Sequence, residues 1–185
     1  APVVRIVVNH AVEKQQGPPG AVARVENIRI PGPSGEIPLR MYYPREDHTL
    51  PILIWLHGGG WTIGSLDDVD TVCRHFARHA GCLVVSVDYR LAPRHKFPAG
   101  LEDCYAAALW TAQNADRING DSSRIAIGGQ SSGGNLAAAV CLMAKERGGP
   151  PLILQILAYP STNIATLETD SYRMFAKGYG LTRFR

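Results

Sequence analysis

The stretch RIAIGGQSSGGNLAAAV, residues 124–140, constrains the fold more than any other part of the chain. An apolar run breaks at glycines around a serine and restarts at helical spacing, which reads as strand, sharp turn, helix. Gly129, Ser131 and Gly133 spell GxSxG, the nucleophile elbow, in which a strained turn exposes the hydroxyl of its central residue. A strand that folds straight back into a helix brings the positions two before and two after the turn residue into near contact. Only very small side chains fit there. The helix also directs unpaired backbone N–H groups and the positive end of its dipole at the serine, favouring a developing negative charge. Ser131 is therefore the first candidate for a catalytic atom. The same small residues also build turns without chemical duty, so the motif alone leaves a structural reading open.

A second feature weighs against that reading. PILIWL, residues 51–56, reads as a buried strand and ends in His57, Gly58, Gly59, Gly60 and Trp61. Consecutive glycines let a backbone approach a ligand and point its N–H groups inward, as an oxyanion hole requires. Gly58, Gly59 and Gly60, with the backbone N–H of Ser132, are the candidate donors, because an HGGG loop is the usual partner of a GxSxG elbow. The plain alternative is a flexible turn at a strand end. Trp61 suits either the wall of a substrate pocket or the core.

Along the chain, residues 24–30 and 37–43 alternate apolar and polar about PGPSG, as an antiparallel hairpin does. Strand 52–56 then leads to a helix from Asp67 to Ala80, with Val69, Val72, Phe76 and Ala80 on one face. Strand 83–87 leads to a helix from Ala99 to Asn114, and strand 125–128 feeds the elbow helix, which Gly148, Gly149 and Pro150 end. Strand 152–157, LILQIL, follows. Continuous apolar strands alternating with helices predict an α/β fold: a mostly parallel sheet covered on both faces, with right-handed crossovers. Ligands in such sheets bind at the carboxyl ends of the strands, where HGGG and GxSxG both lie.

With HGGGW at 57–61, YRLAP at 89–93, FPAGLEDCYAAALW at 97–110, GGQSSGGN at 128–135 and YRMFAKGYGLT at 172–182, the chain resembles the bacterial hormone-sensitive-lipase-like esterases of the α/β-hydrolase fold. One departure is Gln130 and Ser132, where many members carry GDSAG. Neither change removes the nucleophile or the backbone N–H of position 132. The resemblance implies hydrolysis of short-chain or small aromatic carboxylic esters through an acyl-enzyme on Ser131, with no cofactor. It also implies a cap over the site, of which residues 1–23, containing GPPG, would be a poorly ordered remnant, leaving 24–185 as a partial hydrolase domain.

Composition supports one globular domain: 45% hydrophobic residues, 19% charged and a net charge of +3. No apolar stretch approaches the ~20 residues of a membrane span, and APVVRIVVNH lacks the basic start and long apolar core of a signal peptide. A cytoplasmic protein without a membrane partner is expected. Basic residues are scattered, with Arg24, Arg40, Arg90 and Arg124 flanking strands, so a nucleic-acid surface is not expected. Cys73, Cys82, Cys104 and Cys141 show no CxxC spacing and read as buried thiols, neither a zinc site nor a disulfide framework. No metal and no nucleotide is indicated, since neither glycine-rich run completes a phosphate loop. The expected partner is a small-molecule ester; a homo-oligomer stays open.

The expected chemistry then meets a gap. A serine hydroxyl needs a base to take its proton and an acid to orient that base, in the chain order Ser, Asp or Glu, His. All six histidines, at 10, 48, 57, 75, 79 and 95, precede Ser131. His57 reads as shaping the HGGG turn, His95 belongs to the APRHKFPA block, and His75 and His79 read as a solvated helix face. None is taken as the base. Glu146, Glu168 and Asp170 follow the elbow but match no family position for the acid, and Asp88 and Asp103 suit capping or inter-element hydrogen bonds. The triad acid and histidine are therefore expected outside this chain, since the family's sheet has two further strands carrying both. Without them, residues 152–157 would form an exposed apolar edge. The 185 residues are expected to be the first part, about 60%, of a longer hydrolase. Two other readings remain: a hydrolase-like protein that binds a small molecule without turnover, and an amidase or deacetylase on the same site.

Overall fold

Period-two alternation builds the first two strands. In the computed structural model, which describes residues 20–166 and 168–178, β1 (Arg24–Gly32) and β2 (Gly35–Tyr43) pair antiparallel around Pro33 and Ser34. Pairing runs from Arg24 opposite Tyr43 up to Gly32 opposite Gly35, so each strand is two residues longer than the sequence pattern suggested. On β2, Ile37, Leu39, Met41 and Tyr43 enter one core and Tyr42 the other. Residues 1–19, most of the expected cap remnant, and residues 179–185 lie outside the described residues.

The other strands are parallel to one another. β3 (Leu50–Leu56), β4 (Leu83–Val87), β5 (Gly120–Gln130) and β6 (Leu152–Ala158) join the hairpin in the order β1-β2-β4-β3-β5-β6. Three helices make the crossovers: α1 (Asp70–Ala80), α2 (Ala99–Gln113) and α3 (Ser132–Arg147). A short α4 (Asp170–Met174) follows β6. The chain steps from β3 to β4 on one side and then to β5 on the other. That reversal opens a crevice at the carboxyl ends of the strands.

Helices cover both faces, as the apolar strands require. Cys104, Ala107 and Ala108 of α2 and Leu136, Ala137 and Val140 of α3 pack over Ile52, Ile54, Leu56, Ile125 and Ile127. On the opposite face Cys73 and Ala77 of α1, with Val69 from the 3-10 turn before it, pack over Tyr42, Leu53, Trp55 and Val84. This corrects the face read from the sequence. Ala80 is exposed and Val72 and Phe76 only flank the contact, because small Cys73 and Ala77 let α1 settle close over the Trp55 ring. The Phe76 ring leans on Trp55 from the side, with centroids 4.8 Å apart.

The cysteines fit the buried-thiol reading: Cys73, Cys82 and Cys104 are buried, Cys141 partly so, and all four are unpaired. Burial pushes the Cys82 thiol up to about 11. Each arginine singled out in the sequence meets a carboxylate: Arg24 with Glu46, Arg40 with Asp67, Arg124 with Asp121 and Arg90 with Asp103. Among the described residues no helix is long and apolar enough to cross a membrane. β6 pairs only with β5 in the described sheet, and it exposes 63% of Ile153 and 55% of Leu154 on its two faces, the apolar edge expected from the sequence.

One ion pair ties the loop after β4 to α2. The buried Asp103 carboxylate accepts from Arg90 N at 3.0 Å, Nε at 2.7 Å and Nη2 at 2.8 Å. Asp103 thus serves the inter-element bonding its position suggested. Asp103→Asn keeps the shape but removes the charge that the guanidinium needs. Because Arg90 stays 25% exposed, we expect a loss of about 3 kcal/mol, the lower end for a broken buried pair, measurable by urea unfolding.

Candidate active site

The register of β3 and β5 sets the site. Leu56 pairs with Gly129, so the residues that follow, His57 after β3 and Gln130 and Ser131 at the end of β5, lie side by side. Ser131 follows at φ 55° and ψ −120°, a backbone conformation that non-glycine residues adopt only under constraint. The constraint comes from both sides. Ser131 N donates to Ala158 O at 2.9 Å, while Ser131 O accepts from Asn135 N at 3.1 Å and Ser161 N at 3.3 Å. Asn135 Nδ2 donates to Ser161 O at 2.8 Å and ties the segment after β6 to the first turn of α3.

Glycine is required on either side of Ser131 because backbones meet there. A Cβ on Gly129 would lie 2.5 Å from Gly133 O and from Leu56 O, and one on Gly133 would collide with Leu56 O and His57 O. The near contact read from the GxSxG spacing is present, and it includes the end of β3 as a third party.

The HGGG segment closes against this turn. A Cβ on Gly58 would lie 3.0 Å from Gln130 O and 3.5 Å from Ser131 Cβ, so Gly58 sits directly beside the serine. Gly59 O accepts from Ile63 N at 3.0 Å in a tight turn, and Gly60 follows at φ 59° with open space around it. Ser132, the first residue of α3, is fully buried next to Ser131. The structure thus gathers Ser131, Ser132 and Gly58 through Gly60 at one end of the sheet, where the α3 dipole is positive.

His57 shapes the loop, as the sequence suggested. Its ring is buried and its Nδ1 lies 2.7 Å from Gly58 O, so that nitrogen carries the proton. The ring stacks on Tyr89, with centroids 4.3 Å apart and planes 11° from parallel, and Tyr89 Oη donates to His57 O at 2.7 Å. Burial raises the Tyr89 phenol above its usual range, so it keeps its proton. The YRLAP motif by itself gives Tyr89 no part in the site. Its partner lies 32 positions away in the chain, and no local pattern marks that contact.

Beside the loop opens a cavity of about 440 Å³, lined among others by Trp61, Tyr89, Phe97, Leu136, Ala139 and Ile164. Trp61 fills both roles left open for it, lining the cavity while packing on the core; it stands at φ 59°, strained for so large a residue. Phe97 is 86% exposed at the rim. His95 also lines the cavity and is exposed, whereas His75 and His79 lie exposed on α1, their ring centroids 5.6 Å apart, across the sheet from α3. His48 is in an exposed loop and His10 falls outside the described residues. Glu146, Glu168 and Asp170 are exposed. Among the described residues no cluster of three or more His, Cys, Asp or Glu could hold a metal.

A family model described as the alpha/beta hydrolase fold matches residues 53–185. The chain belongs to this family. Similar proteins include the carboxylic ester hydrolase LipN of Mycobacterium tuberculosis, 46% identical over 86% of this chain and 43% of its own length. The arylesterase of Saccharolobus solfataricus is 34% identical over 96% of this chain and 57% of its own. Among solved structures, an esterase from Pyrobaculum calidifontis superimposes with a TM-score of 0.88 at 44% identity, covering 94% of this chain and 57% of that one. An α/β hydrolase from the metagenome of Lake Arreo gives 0.92 at 40% identity, covering 97% and 57%. The chain therefore spans about half the length of the α/β hydrolases it matches.

The backbone contact at Gly133 makes a sharp prediction. Gly133→Ala forces the end of β3 away from α3, and overpacking of this kind, against carbonyls rather than a flexible side chain, is expected to cost about 3 kcal/mol. Thermal unfolding of the variant measures it.

Proposed function

We propose that this chain carries the attacking half of a serine carboxylesterase. The observation that carries the reading is Ser131, held at φ 55° at the N-terminus of α3 and directly beside Gly58. In the proposed reaction Ser131 Oγ attacks an ester carbonyl, and the N–H groups of Gly58, Gly59, Gly60 and Ser132 receive the oxyanion. The alcohol leaves, and water then releases the acid from the acyl-enzyme. The general base and its orienting acid come from outside these 185 residues, as the absence of any histidine after Ser131 and the partial span of the relatives both support.

The cavity beside the loop supports the substrate class. Its apolar lining and its position next to Gly60 and Asn135 suit a small aromatic or short aliphatic group on the ester. The relatives named carboxylic ester hydrolase and arylesterase agree with that choice. The proposal includes a cytoplasmic location, which four unpaired thiols fit.

Two substitutions in the full-length protein test this. Ser131→Ala is expected to lower kcat for a nitrophenyl ester at least about 10⁴-fold, and surviving turnover would remove the nucleophile assignment. Ala139→Phe fills the cavity from α3 and is expected to lower kcat/KM for an aromatic ester about tenfold more than for an acetate ester. Equal losses on the two substrates would place the substrate elsewhere.

A further inference from the structure

Two residues of the block that carries the nucleophile have no task in the reaction proposed above. GGQSSGGN runs past GxSxG to Gly134 and Asn135, both in the first turn of α3. Asn135 N donates to Ser131 O at 3.1 Å, and Asn135 Nδ2 donates to Ser161 O at 2.8 Å. A carbonyl only accepts, so the Asn135 amide has one orientation there. Ser161 N in turn donates to Ser131 O at 3.3 Å, which closes a ring of three hydrogen bonds among Ser131, Asn135 and Ser161. On the other side of the nucleophile, Ser131 N donates to Ala158 O at 2.9 Å.

Residues 158–161 therefore grip both backbone polar groups of Ser131. The path between the two grips is tight. Tyr159 stands at φ 37°, a conformation that a bulky residue keeps only when its surroundings impose it. Pro160 rests against α3, where a Cβ on Gly134 would lie 3.0 Å from Pro160 Cβ. Ser131, at φ 55°, is strained as well, so the two strained residues share one set of restraints. The side-chain member of that set is Asn135.

We infer that Asn135 is a positioning residue: its amide holds the Ser161 peptide, and with it the segment after β6, against Ser131, and so keeps the nucleophile in its strained conformation. The inference rests on the esterase reading for its catalytic consequence and on the hydrogen bonds alone for its structural one. Asn135→Asp keeps the size of the side chain but sets an oxygen against the Ser161 carbonyl in place of the donor. Gly134→Ala leaves the amide intact and suits a helix, but pushes Pro160 outward.

The test uses the full-length protein with isotope-labelled serine. Asn135→Asp is expected to lower kcat about tenfold on both nitrophenyl acetate and nitrophenyl benzoate, with KM within about twofold, because a small misplacement of a reacting atom costs up to about 10²-fold. Gly134→Ala is expected to lower kcat about threefold in the same pattern, and the double variant to lose less than the product of the two, since both act through one segment. The Ser131 and Ser161 amide resonances are expected to shift in each single variant. A loss confined to KM, or larger on the benzoate than on the acetate, would make Asn135 a wall of the cavity, which it also lines, and overturn the inference. An unchanged kcat or unmoved serine amides in Asn135→Asp would overturn it too. Should Asn135→Asp fail to fold, Gly134→Ala decides by the same readouts. If the parent protein turns over no ester, the esterase reading fails on that ground, and the serine amides alone decide the inference.

Discussion

The close approach of three backbone segments, at Gly129, Gly133 and the Leu56 and His57 carbonyls, is the constraint on which the site depends. It lets α3 start immediately at the end of β5 and lie against the end of β3. Ser131 is forced into its strained conformation by that shortcut, and Gly58 is brought beside it for the same reason. A methyl group at Gly133 would part the strand from the helix and separate the serine from the loop. Sheet, elbow and loop are therefore one packing solution.

Around that contact, side-chain interactions hold the loops that leave the strands. Tyr89 holds the HGGG loop by stacking and by one hydrogen bond, Asp103 holds the loop containing Tyr89 and Arg90 onto α2, and Asn135 holds the segment after β6 onto α3. Each contact joins residues far apart in sequence at the carboxyl ends of the strands. The sheet order makes this possible, because the reversal between β4 and β5 leaves space for loops from both sides. The apolar faces of β6 show the opposite condition. There the described sheet stops, and Ile153 and Leu154 meet solvent.

What was legible in the sequence had a local physical cause. Gly129, Ser131 and Gly133 could be read because an αβ turn this tight tolerates nothing larger, and HGGG because its conformations favour glycine. The strands could be read from apolar runs. The buried face of α1 was misread because helical periodicity marks Val72 and Phe76 as readily as Cys73 and Ala77, and only the bulk of Trp55 beneath decides which pair faces inward. Tyr89 and the cavity residues Leu136, Ala139 and Ile164 carried no signal, since their roles depend on what lies across from them.

The sequence by itself determined the strand–turn–helix around Ser131, the glycine-rich loop after β3, the parallel α/β character of the chain and the absence of any histidine after the serine. Each follows from backbone conformation, periodicity or a simple census. Only the tertiary structure decided that Leu56 pairs with Gly129, which sets the two motifs side by side, and that Tyr89 stacks on His57 and bonds its carbonyl. Strand register and long-range side-chain contacts are properties of the packed sheet, and no window of sequence contains both partners.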